Sequence, residues 1–277
     1  MLMKKLGLII LIALFITSQF SVVSNAYSYY GCEYSNKDIK KATEIYKKVL
    51  KSGKSITVKY KKEKKVDAVS SAYLEKYFCF VNDFNSVCEF AEGEGYYECK
   101  FKGGKVFKNA VKLNNKREKE YKKRLKKIRQ YEENILKQLG DYDTEYEWFI
   151  AMENYLIDNT SYEEHKDKDI IDEFVEEKSC VVGNVYNFVR YGSGVCADYS
   201  VLVSDLCKLK GIQVCIVSGG SIPEVDNHAW NKVVLDRVPY YVDVTWDVCN
   251  KCILYGPKCN VDMFNGTHYF TSETLCN

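Results

Sequence analysis

The sequence predicts an α+β fold in which a cysteine-bearing helix packs on an antiparallel sheet, with a mixed helical region ahead of it. Three observations predict it. Apolar residues recur at helical spacing in two stretches, Tyr121, Leu125, Ile128, Ile135 and Leu139, then Tyr199, Leu202, Val203, Leu206 and Leu209. Residues 213–217 and 228–235 are short apolar runs bounded by turn residues, as strands are. Between the second run and residues 240–246 stands Asp236-Arg237-Val238-Pro239, a turn that sends the chain back antiparallel.

The elements follow in order. Lys4 and Lys5 precede an apolar run from Leu6 to Ile16 and a polar stretch ending Ser24-Asn25-Ala26, the pattern of a secretory signal peptide over residues 1–26. That run is shorter than the roughly 20 apolar residues a spanning helix needs. The expectation is a secreted or cell-surface protein with no membrane contact after cleavage. Residues 27–110 form a mixed region of no evident role. Ile39, Ala42, Ile45, Tyr46, Val49 and Leu50 mark an amphipathic helix closed by Gly53, and residues 55–60 alternate like a strand. A second helix is expected over 66–80 and a strand over 96–101. Residues 111–277 form the helical lead-in and core. From Lys116 the chain turns helical until Gly140, and Thr144 with Glu147 suits a capping box for the next helix, which fades near Asp158-Asn159. A helix is expected between 170 and 177.

Composition excludes several functions. A mean hydropathy of −0.32 is not that of a polytopic membrane protein, and 14% aromatic residues argue against disorder. Without Lys4 and Lys5 the cations equal the 38 acidic residues, so no global field draws nucleic acid or an anionic membrane. The basic run KREKEYKKRLKKIR (residues 116–129) lies on the amphipathic helix, where its lysines make a solvated face. Twelve cysteines in an exported chain imply disulfides. If one stays free for chemistry an odd number remains, so at least one more is unpaired. Cys249-Asn250-Lys251-Cys252, with Cys259 and Cys276, could hold zinc, but export favours disulfides there, and no metal is expected. Cys79, Cys88 and Cys99 suggest a stapled N-terminal region.

The chemistry-bearing stretch is Gly192-Ser193-Gly194-Val195-Cys196-Ala197-Asp198-Tyr199, which opens the second helix. Cys196 stands at or next to a helix N-terminus, where unpaired N–H groups favour an anion and a thiolate is more readily formed. No Gly-Lys-Ser/Thr follows, which excludes a phosphate loop. His228 opens one strand of the hairpin and Asp243 lies on its partner, so the two can meet near one end. A cysteine, a histidine and an aspartate so arranged are a nucleophile, a base and its orienting group. His165 and His268 lack comparable surroundings in the sequence. Trp230 and Trp246 read as core aromatics.

At this point the sequence resembles the transglutaminase-like superfamily, a branch of the papain-like cysteine enzymes. GSGVCADYS, KLKGIQVCIVSGG, NHAWNKVVL and YYVDVTWD carry the resemblance, in the family's order, over roughly residues 140–272. It implies a papain-like core with Cys196 as nucleophile, His228 as general base and acid, and Asp243 as orienting carboxylate. Cys-x-Asp-Tyr stands where many members have Cys-x-Gly-Tyr, and a second oxyanion donor is not identifiable. The activity implied is acyl transfer or hydrolysis on protein or peptide amides through a thioester, without metal or organic cofactor. Two other readings stay open: a secreted cysteine protease or amidase, and an extracellular binding module whose Cys196 is inert or disulfide-bonded.

Overall fold

A computed structural model describes residues 35–61, 67–79, 81, 85, 87–166, 171, 184–222, 227–259 and 261–275. The signal peptide expected over 1–26 and most of the helix expected over 170–177 lie outside these residues. Among the described residues no helix is long and apolar enough to cross a membrane. The chain divides into two compact units, residues 1–116 and 117–277.

In the first unit, helix α1 (Asn36–Ser52) starts at a capping box between Ser35 and Asp38 and stops at Gly53, whose φ of 66° is the left-handed conformation of a helix end. Strand β1 (Ile56–Lys61) and helix α2 (Asp67–Phe78) follow. Strands β2 (Cys88–Gly93) and β3 (Tyr96–Phe101) complete an antiparallel sheet in the order β1-β3-β2. Strand β2 is absent from the sequence reading, because Cys-Glu-Phe-Ala-Glu-Gly has little apolar alternation. Tyr73, Phe78, Phe101 and Phe107 are buried together at the centre. The Sγ atoms of Cys88 and Cys99 lie 3.1 Å apart in that core.

The long helix α3 (Gly104–Leu139) begins at Gly104, twelve residues before the predicted start. Its first turns carry the apolar pair Phe107 and Ala110 into the first core, a signal too short to stand out in the sequence. Its later turns belong to the second unit, where Ile128 and Ile135 enter the core and the lysines of the basic run are exposed.

Helix α4 (Glu145–Asn159) has Thr144 as N-cap, its hydroxyl accepting the Glu147 N–H. Its first turn is also held from afar. Asp236, in the turn between two strands, accepts the N–H groups of Glu145 and Tyr146 at 3.1 and 3.2 Å. The short strands β4 (Ser161–Tyr162) and β5 (Ser193–Gly194) pair in parallel, with helix α5 (Tyr186–Tyr191) just before β5.

Helix α6 (Cys196–Lys210) then packs on a four-stranded antiparallel sheet of β6 (Gln213–Ser221), β7 (Asn227–Leu235), β8 (Val238–Val242) and β9 (His268–Leu275), in the order β8-β7-β6-β9. The predicted α+β class, a nucleophile-bearing helix on an antiparallel sheet, is what the molecule has. Leu202, Val203 and Leu206 of α6 are fully buried. Burial of each contributes about 1.5–3 kcal/mol. Asn231 ties helix to sheet, its amide donating to the Ser200 carbonyl at 3.0 Å.

Two boundaries depart from the reading. Gly219 and Gly220 lie within β6 and do not end it. A Cβ on Gly219 would fall 1.9 Å from the Tyr269 carbonyl oxygen, so the glycine admits β9 at a bulge. Strand β8 stops at Val242, and residues 244–250 form helix α7 (Val244–Asn250), so Asp243 and Trp246 are not in a strand. The Asp243 side chain accepts the Trp246 N–H and starts that helix, an N-cap overriding the β-branched run before it. Helix α8 (Val261–Thr267) leads into β9.

Candidate active site

Cys196 is the first residue of α6 and is partly exposed. What holds it there is Asp198, two residues on. The buried Asp198 carboxylate accepts from the backbone of Asn184 (2.6 Å) and Val195 (3.1 Å) and from the Asn187 amide (3.0 Å). A Cβ on Gly194 would sit 2.8 Å from Asp198 Cβ, so the Gly-Val-Cys-Ala-Asp order lets the carboxylate close under the loop. This gives the Cys-x-Asp form a structural purpose. Tyr199 fixes the other side, its hydroxyl 2.8 Å from that of Thr160 at the end of α4.

His228, near the start of β7, reaches Asp243 just past the end of β8. Its Nε2 donates to Asp243 Oδ2 at 2.7 Å, and Cys196 is near enough to help raise the ring's pKa. With Nε2 engaged by the carboxylate, Nδ1 is the nitrogen left for the sulfur. Burial alone would disfavour the imidazolium, but Asp243 and Cys196 outweigh it and push the His228 pKa up to about 10. The three residues singled out in the sequence therefore meet. They do so with Asp243 at a helix N-cap, outside the strand where it was expected.

A fourth residue joins them. His268, the first residue of β9, donates from Nε2 to the same Asp243 Oδ2 at 3.0 Å and is fully buried. Its Nδ1 lies 2.9 Å from the Thr267 hydroxyl and 3.3 Å from the Phe264 carbonyl oxygen. Phe264 stacks on it at 4.1 Å and Trp246 lies at 4.5 Å. Sequence reasoning passed over His268 because β9 pairs with β6 across some fifty residues, at Ser221↔His268. The one available signal was scarcity, for the chain has only three histidines.

Asp243 thus accepts three N–H groups. Burial raises its pKa, yet the His228 and His268 bonds reverse that and hold it below its usual value. Trp230 and Trp246 flank His228 at 5.8 and 5.6 Å. Trp230 is core, as read, and Trp246 is also a wall of the site. The donor atoms of His228, Asp243 and His268 lie within 4.8 Å of one another, a donor set a divalent ion could use. Their spacings of 2.7 and 3.0 Å are those of an imidazole–carboxylate–imidazole hydrogen-bond network.

His165 sits apart, its Nε2 on the Ser193 hydroxyl at 2.9 Å and its ring stacked on Tyr191. Tyr162, opposite Gly194 and half exposed, has its phenol pKa raised by burial first and by the Cys196 charge next. Cys249 and Cys252 are exposed thiols, where a disulfide was expected.

Residues 133–246 match the family model of the transglutaminase-like superfamily. No curated protein matches the chain. Among solved structures, a TGase is 13% identical with a TM-score of 0.34, over 57% of this chain and 43% of its own. A candidate cysteine protease from Cytophaga hutchinsonii is 12% identical with a TM-score of 0.37, over 67% of this chain and 65% of its own. The chain thus spans less than two thirds of either, and neither bears on its chemistry.

Proposed function

On the premise that residues 133–246 carry a transglutaminase-like core, we propose that this chain is an exported cysteine enzyme that transfers or hydrolyses the acyl groups of protein or peptide amides. The observation that carries the proposal is His228, hydrogen-bonded to Asp243 with its pKa raised by both Asp243 and Cys196.

Asp243 holds the ring with Nε2–H toward itself, so Nδ1 takes the Cys196 proton. The thiolate attacks the amide carbonyl carbon, and the carbonyl π pair moves to oxygen, where the Cys196 N–H at the start of α6 stabilises it. Collapse of this intermediate expels the amine, which receives the proton from His228 Nδ1 and leaves a thioester on Cys196. A second nucleophile gives its proton to His228 and displaces the sulfur. An amine yields a cross-link, whereas water yields hydrolysis. None of these steps calls on a metal or organic cofactor.

Export rests on residues 1–26. The Cys88–Cys99 sulfur contact supports it, since an oxidising compartment would close that pair by removing two electrons and two protons.

The test is alkylation of Cys196 by iodoacetamide between about pH 5 and 9, read by peptide mapping without reductant. Reaction well below the free-thiol value of about 8.5, and its loss in His228→Ala, is the expected outcome. Turnover of a glutamine peptide should fall about 10⁴-fold in Cys196→Ala and His228→Ala with folding intact. The mass change with and without an added amine tells transfer from hydrolysis. A Cys196 found in a disulfide, or reactive only at alkaline pH, makes the chain a binding module.

A further inference from the structure

Two carboxyl groups meet one turn below Asp243, with no cation beside them among the described residues. Glu153 on α4 and Asp247 on α7 are both fully buried on helices that pack together, and both side chains abut the turn at residues 254–256. As two carboxylates neither could donate to the other, because each oxygen would be an acceptor only, and Glu153 Oε1 and Oε2 and Asp247 Oδ2 would stay buried without a partner. One of them must be protonated.

The surrounding donors say which. Asp247 Oδ1 accepts the N–H groups of Leu254 and Tyr255, each at 2.7 Å, and such bonds favour an anion. Asp247 Oδ2 and both oxygens of Glu153 have no such donor among the described residues. Glu153 therefore carries the proton and gives it to Asp247 Oδ2. Burial first, then the Asp247 charge, raises the Glu153 pKa well above its usual range. Burial also raises Asp247, against the pull of the Leu254 and Tyr255 N–H groups.

The pair leads to the triad in a few bonds. Tyr255, gripped by Asp247, offers its carbonyl to the Asp243 N–H at 2.9 Å, and the Asp247 N–H returns to the Asp243 carbonyl at 3.2 Å. Gly256 closes the turn over Glu153, for a Cβ there would fall 2.5 Å from Glu153 Oε2. The titratable groups facing the pair are Asp243, Tyr146 on α4, and Tyr255 and Cys259 on the turn after α7, none of them a cation. The Lys251 ammonium is committed to the carbonyls of Ile157 and Thr160.

We infer that Glu153 and Asp247 share a single proton, and that this proton positions Asp243 by clamping residues 254–256 against α7. The inference deepens the reading of Cys196 as a nucleophile and rests on it only for the effect on reactivity. Loss of the proton sets two negative charges together in the interior, parts the pair and releases the turn that holds Asp243.

The sign for stability follows from a raised folded value. The contribution of Glu153 is full below its ordinary pKa of 4.5 and is lost as pH rises toward its folded value. Glu153→Gln keeps a donor to Asp247 Oδ2 but has no proton to lose, and Asp247→Asn keeps Oδ1 for the turn and donates to Glu153 from its amide.

The full chain and both variants are compared by three readouts. These are the infrared C=O band of a protonated carboxylic acid at neutral pH, the urea midpoint against pH, and the rate of Cys196 alkylation against pH. The wild type should show the band and both variants should lose it. The wild-type midpoint should drift down with rising pH while that of Glu153→Gln stays level. The fall in alkylation that follows deprotonation of the pair in the wild type should be absent in Glu153→Gln, which has no such proton. A wild type without the band, or superimposable midpoint profiles, overturns the shared proton. A band and a drift with identical alkylation profiles overturn the positioning role. The first two readouts need no reactive Cys196, so an inert Cys196 would sink the enzyme reading and leave the shared proton standing.

Discussion

The two units bury different things. Among the described residues, the first encloses tyrosine and phenylalanine rings, and its buried polar side chains are limited to Ser70 and Asn114. The second encloses Glu132, Glu153, Asp198, Asp243, Asp247 and His268 as well as an aliphatic core. A charge taken from water costs several kcal/mol unless bonds offset it. Apolar burial, of rings and of aliphatic side chains such as Ile45, Val49 and Leu74, holds the sheet and helices of the first unit. Interior carboxyls are found in the unit that has a loop, a ring and a helix end to hold in place. Asp198 carries the loop before Cys196, Asp243 carries the His228 ring, and the Glu153–Asp247 pair carries the turn behind Asp243.

The sharpest break of this comparison is Phe78→Ala in the first unit. It removes a fully buried ring that packs on Tyr73 and Phe107, and should cost about 3–5 kcal/mol in denaturant unfolding. The pH profile of Cys196 alkylation should be unchanged. A shifted profile would mean that the aromatic core also shapes the site.

A smaller effect is expected from His268→Phe, which keeps the stack on Phe264 and removes one donor to Asp243. The loss should be about 1.5–3 kcal/mol near neutral pH. Asp243 has a lowered folded pKa, so its contribution is present above its ordinary 3.8 and vanishes as pH falls through the folded value. Removing His268 lifts that folded value, and acid unfolding of the variant should begin at higher pH. An unchanged acid midpoint would show that His268 is mere packing.

The smallest is Asp236→Asn, which keeps a residue tolerant of the left-handed φ of 50° but removes the charge at the start of α4. About 0.5–1 kcal/mol should be lost, less at high salt, as for any helix-terminal charge. A salt-independent loss would place the effect in the backbone.

Much was legible locally. Cys196 at a helix start followed from Gly-Ser-Gly-Val ahead of a helical repeat, and the hairpin carrying His228 followed from two apolar runs around a turn. These signals lie within a few residues of each other, where propensity and capping operate. The end of β8 was misplaced because Val242, Val244 and Thr245 favour a strand while the Asp243 side chain favours a cap, and the cap won. The site was legible for three residues and silent on Glu153 and His268, which reach it from α4 and β9.

By itself, then, the sequence determined the α+β class, the helix that presents Cys196 and the identity of the histidine and aspartate that meet it. Those depend on periodicity, turn chemistry and helix ends, which act over a few residues. Only the tertiary structure decided that two histidines share one oxygen of Asp243 and that Glu153 and Asp247 lie together without a cation. Burial and the pairing of distant segments set both. A protonation state follows from what surrounds a group, and here the surroundings come from elements up to about a hundred residues apart.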